Sequence, residues 1–153
     1  TVDEKAQLHY INKPKGTFAF EVSFLQEDTG DVVDGWFVSR SNLTKCYMLV
    51  WIDKARTDKL NRIVAEDFEE VTVYFIVKEK IKSYLSELGL STEALREKAS
   101  DMRQNNIKLI QISDDAFLYH SEKYKESPIN VVINRDVLKT KAKLLPCFHI
   151  PIL

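Results

Sequence analysis

Asp3 and Lys5 stand two residues apart in the opening stretch TVDEKAQLHY, and Gln7 follows two further on. On an extended segment successive side chains point to opposite faces, so these three share one face, with Val2, Ala6 and Leu8 largely on the other. A carboxylate beside an ammonium is what phosphodiester hydrolysis uses: hard oxygens to hold Mg²⁺, and a cation near the attacking water or the charged transition state. Gln7 would add a polar group to that line. Glu21 is the second acid of interest, a lone carboxylate among Phe18, Phe20, Val22 and Phe24. At a core's edge such a group is paired, hydrogen-bonded or metal-bound; strand alternation would instead turn it to solvent, away from the phenylalanines. An ordinary surface ion pair has the same acid-x-lysine spacing, and a highly charged chain produces such triplets by chance.

The elements that must position these groups follow from the apolar period. Residues 2–8 alternate as a strand, Asn12, Pro14 and Gly16 mark a loop, and TFAFEVSFL reads as a strand, with a short helix from Thr17 as the alternative. QEDTGD is a turn, Gly35 breaks the chain again, and WFVS reads as a short strand. KCYMLVWI and VTVYFIV are near-continuous apolar runs, the mark of buried strands, with the charged DKARTDKLNR between them as a loop or short helix. KEKIKSYLSELG has helical spacing and ends at Gly89, where a left-handed residue belongs. STEALREKASDMRQ follows as a second helix, with Ser91 as its N-cap and Glu93 against its dipole. IKLIQI, AFLYH and INVVI are short strands, Asn134 caps a helix through DVLKTKAK, and LPCFHIPIL ends the chain as an extended apolar segment. The sum is an α/β or α+β fold, a mixed central sheet flanked by helices that concentrate in the second half.

The stretch VDEKAQLHYINKPKGTFAFE, with Gly35-Trp36 and the YMLVWI strand after it, resembles the PD-(D/E)xK, or restriction-endonuclease-like, nuclease superfamily. In that family an acid-x-lysine on a central strand is followed by further core elements. The resemblance spans roughly residues 1 to 55, and it implies that Asp3 ligates Mg²⁺, that Lys5 positions water or stabilises charge, and that Glu21 and Gln7 are accessory, with Glu21 a second metal ligand. It also implies a further acid on a preceding strand. Because residue 2 already sits in a strand, the expectation is a single domain over residues 1–153 that forms the C-terminal part of a longer chain, its restriction-endonuclease-like core lacking N-terminal elements.

A chain of 153 residues with 44% hydrophobic side chains is long enough for one domain with a core and too short for two ordinary ones. A formal charge of -1 provides no global field for a polyanion, so any DNA contact must be local. Lys13 and Lys15, with Tyr10 or Trp36 against a base, are the candidates beside the proposed site; Arg40, Lys45, Lys54, Arg56, Lys59 and Arg62 cluster around the tryptophan segments. Cys46 and Cys147 have no CxxC or CxxH spacing and read as reduced thiols of a cytoplasmic protein. His9, His120 and His149 have no i,i+4 partner and read as surface or structural histidines. Four glycines form no phosphate loop, and no apolar run approaches the ~20 residues of a membrane span. The competing reading is a non-catalytic binding or assembly module with a degenerate nuclease-like fold, which would form a homo-oligomer through LPCFHIPIL.

Overall fold

The aromatic runs decide the architecture. In the computed structural model, which describes residues 1–142, the strands are β1 (Val2–Ala6), β2 (Thr17–Leu25), β3 (Val32–Asp34), β4 (Cys46–Ala55) and β5 (Phe68–Val77). Helices α1 (Lys78–Glu87) and α2 (Thr92–Gln104) follow, then β6 (Leu109–Ser113), β7 (Ala116–His120), β8 (Ile129–Asn134) and α3 (Arg135–Lys141). TFAFEVSFL is thus a strand, and the fold is α+β. The expected single mixed central sheet is replaced by two sheets, one of order β1-β4-β5 and one of order β3-β2-β8-β7-β6.

The reason lies in β2 and β4, which each carry bulky rings on one face. The edge of Trp51 meets the Phe18 ring at 5.3 Å between centroids, and Tyr47 meets Phe20 at 5.9 Å. Two such faces cover each other only from different layers. Phe20, Tyr47 and Trp51 are fully buried there, each worth roughly 2 kcal/mol of apolar burial. Among the described residues the β1–β4 ladder alone is parallel; the others are antiparallel, including β2–β8, whose strands are far apart in sequence.

WFVS is a turn rather than the expected strand, and β3 ends just before it. Phe37 and Val38 are apolar because the turn plugs them into the core, where they are 1% and 4% exposed. The turn is pinned to β2: Gly35 donates its N–H to the Val22 carbonyl and Phe37 donates to the Glu21 carbonyl.

α1 ends and α2 begins where their caps dictate. Gly89 takes a left-handed φ of 78°, and the Ser91 hydroxyl accepts the Ala94 N–H. Leu95, Ala99 and Met102 turn the buried face of α2 toward β2 and β7. Asn134 caps α3 by accepting from the Asp136 N–H. Arg135, the first residue of that helix, bonds Asp53 of β4 at 2.8 and 3.2 Å while its guanidinium lies 4.9 Å over the Trp51 ring. α3 therefore ties the two sheets together. No helix among the described residues is long and apolar enough to cross a membrane. LPCFHIPIL, with Cys147 and His149, lies outside the described residues.

Candidate functional site

β1 is turned with its polar face inward. Val2, Glu4 and Ala6 are exposed, Val2 at 58%, while Asp3 and Lys5 are half-buried. The parallel ladder sets this, since Asp3 pairs with Tyr47 and Lys5 with Leu49, and register partners point to the same side. Tyr47 and Leu49 face the core, so Asp3 and Lys5 do too. What they meet there is not aliphatic. The Lys5 ammonium lies 3.2 Å from the Asp3 carboxylate and 4.6 Å over the Trp36 ring, two partners that compensate its partial desolvation.

Glu21 is also half-buried, so its place among phenylalanines does not simply turn it out to solvent. Burial pushes its carboxyl above the usual carboxylate range; the Trp36 N–H opposes this, Glu126 adds to it, and Lys5 opposes it. The charge of Lys5 thus reaches both acids. Gly35 fixes this corner: a Cβ there would lie 2.5 Å from the Glu21 carbonyl oxygen and 2.7 Å from its Cγ. Only glycine lets the turn that carries Trp36 lie against β2.

Two residues complete the cluster that sequence reasoning missed. Lys78, the first residue of α1, is 4% exposed, and its ammonium lies 5.9 Å from the Phe37 ring and 6.0 Å from that of Tyr47. Burial lowers its pKa, Lys82 adds to this, and Glu79 and Asp3 oppose it. The Tyr47 hydroxyl is buried with no hydrogen-bond partner, and its pKa is raised by burial first and by Asp3 second. Lys78 had looked like one charge among many in KEKIK, and Tyr47 like one ring in an apolar run. The only signal was a lysine immediately after VTVYFIV, where the chain is still leaving the core.

The other candidates divide. Gln7 stitches β1 to β2, its Nε2 donating to the Thr17 carbonyl at 2.7 Å while its Oε1 is buried without a partner. Tyr10, Lys13 and Lys15 do come together, lining an open pocket of about 310 Å³ with Leu8, His9 and Asp58; the Lys15 ammonium sits 5.1 Å over the Tyr10 ring. Trp36 lies apart from them, under Lys5. Of the further basic residues, Lys54 and Arg56 are drawn to Glu69 at 2.7 and 3.6 Å.

The donor chemistry of Asp3 and Glu21, carboxylate oxygens, is of the kind Mg²⁺ takes. Among the described residues no three His, Cys, Asp or Glu side chains converge as a metal-holding group. Two acids with a lysine between them therefore make an acid–cation cluster, able to hold a phosphate by its ammonium groups and to offer a cation two carboxylates with water. No protein-family model, curated protein or solved structure matches the chain.

Proposed function

We propose that this chain is a nuclease-like domain acting on DNA phosphodiesters in the cytoplasm, built on a variant restriction-endonuclease-like core. The observation that carries the reading is the inward turn of β1, which spends a strand's core-facing positions on Asp3 and Lys5 where hydrophobic residues would normally stand. Burying charge at that cost is a mark of functional sites.

Asp3 and Glu21 would hold Mg²⁺, which supplies charge neutralisation at the phosphate and a more acidic bound water. Lys5 then exchanges Asp3 for the scissile phosphate and stabilises the charge that develops there. The Lys78 ammonium adds positive charge behind it, and Trp36 supplies a face for Lys5 and for an unstacked base. Tyr10, Lys13 and Lys15 line the pocket beyond the end of β1 and would contact the phosphate backbone there.

Nicking of supercoiled plasmid with Mg²⁺ or with EDTA tests this. The protein is expected to cleave only with the metal, and Lys5→Ala to lower the rate at least about 100-fold with melting nearly unchanged. Cleavage that survives in Lys5→Ala rules the assignment out.

A binding module without chemistry is the second reading. The observation favouring it is that the Asp3 carboxylate is already paired with Lys5 at 3.2 Å. DNA retention without cleavage, weakened in a Lys13→Ala/Lys15→Ala variant and at higher salt, would select it.

A further inference from the structure

We infer that Ser127 is a nucleophile, activated by His120 and Glu122, of a second site that hydrolyses small carboxylic esters. The site lies across the β7–β8 connection, and none of the groups assigned to the phosphodiester reading belongs to it.

His120 closes β7 with its ring 5% exposed, and its Nε2 lies 2.7 Å from the Ser127 hydroxyl. Its other nitrogen, Nδ1, is buried with no hydrogen-bond partner, and the nearest acid is Glu122, 4.0 Å away. Serine hydroxyl, imidazole and carboxylate thus stand in the order that acyl transfer needs, with the acid one short movement from the imidazole. Catalytic hydrogen bonds are often this long before substrate binds. Ser127 takes a left-handed φ of 42°, uncommon for a residue with a side chain, and stays half-buried rather than sealed.

Arg103, from α2, is the fourth group. Its guanidinium donates to the Ser127 carbonyl at 3.0 Å and to the Ser23 hydroxyl at 3.3 Å, and Nη1 lies 3.5 Å from the Ser127 Oγ. Its Nε is buried without a partner, and no ion pair to Arg103 forms among the described residues. Fastening the loop to α2 needs only the bond to the Ser127 carbonyl. The hydroxyl held between an imidazole and an unneutralised guanidinium is not explained by that, and it is the environment in which negative charge on oxygen is favoured. Burial and the charge of Arg103 also lower the His120 pKa, against Glu122, so the imidazole is the neutral base at pH 7.

The step balances without a further reagent. Ser127 Oγ attacks the ester carbonyl carbon as its proton passes to His120 Nε2, and the oxyanion forms beside Arg103. Collapse breaks the bond to the alkoxy oxygen, which leaves as the alcohol with the proton from Nε2. Water, deprotonated by Nε2, then attacks the acyl carbon, releases the carboxylic acid and restores the Ser127 hydroxyl.

Turnover of p-nitrophenyl acetate and labelling by a fluorophosphonate, located by mass spectrometry, test this on the full chain. The expected result is one label on Ser127, lost in Ser127→Ala, and turnover reduced at least about 100-fold in His120→Ala and about 10-fold in Glu122→Gln. Lys5→Ala should label like the parent, which separates this site from the phosphodiester reading. Ser127→Cys, which keeps the side chain's size, guards against misfolding and should be alkylated by a haloacetamide faster than Cys46. An unlabelled parent protein, or labelling that persists in His120→Ala, overturns the inference.

Discussion

Two acid–cation pairs in this molecule are built in opposite ways, one joining α3 to β4 and the other lying within β1. Asp53 and Arg135 form a fork, two bonds at 2.8 and 3.2 Å; Thr72 donates to the same carboxylate, and the guanidinium lies over Trp51. Asp3 and Lys5 share a single 3.2 Å contact, and the neighbouring Tyr47 hydroxyl has no partner. The first arrangement leaves nothing for a ligand to do. The second keeps hydrogen-bonding capacity in reserve, which the proposed exchange of partners requires. Saturation, rather than burial, distinguishes the two pairs, since both are only partly exposed.

The comparison breaks most severely at Gly35. Gly35→Ala would drive a methyl into the Glu21 backbone, which cannot yield as a flexible side chain would, at a cost of about 3 kcal/mol in denaturant melts. Loss of the fork is the next largest effect. Arg135→Met strands the Asp53 carboxylate and is expected to destabilise by about 2 kcal/mol while leaving any phosphodiesterase activity within a few-fold.

The two regions should also titrate with opposite signs. Burial raises the Asp53 pKa more than any single partner lowers it, but the bonds from Arg135 and Thr72 and the Arg135 charge together hold it below the usual range. Its stabilising contribution is complete above its unfolded value, about 3.9, and is lost as pH falls through the folded value. Glu21 runs the other way. Its folded pKa is raised, so its contribution is complete below its unfolded value of 4.5 and is lost as pH climbs through the folded value. Melts from pH 3 to 7 should show the acid limb flattened in Asp53→Asn, and a gain in stability toward pH 7 in Glu21→Gln. Identical profiles for both variants would erase the distinction.

Replacement of Lys78 sharpens the contrast with a smaller shift. Lys78→Met keeps the length of the side chain, removes a desolvated ammonium and should be neutral or stabilising by up to about 1 kcal/mol, with weaker DNA binding. The smallest effect on stability is expected from Lys5→Met. Its ion pair is about 30% exposed and its ring contact is single, so melts should move by less than about 1 kcal/mol even where the proposed cleavage is lost.

Local patterns carried most of the secondary structure. Gly89, Ser91 and Asn134 sit at the helix boundaries that their types suggested, and the apolar runs of β4 and β5 are strands. The split into two sheets was not legible, because alternation shows that Phe20 and Tyr47 are buried but not that they cover each other. WFVS misled because Phe37 and Val38 are buried from a turn, where burial has no period. The site was half legible. Spacing placed Asp3 and Lys5 on one face, but which face turned inward depended on the pairing of β1 with β4, forty-odd residues away. Lys78, Tyr47 and the bond between His120 and Ser127 depend on chain crossings that no short motif records.

β1 has one neighbour among the described strands, β4, and only five residues with which to hold it. Asp3 and Lys5 are therefore mounted on an element that can peel away while the aromatic layer beneath stays packed. Amide exchange in β1 should outpace that in β4, and on warming the cluster would come apart at a temperature where the rest of the molecule still gives a native spectrum.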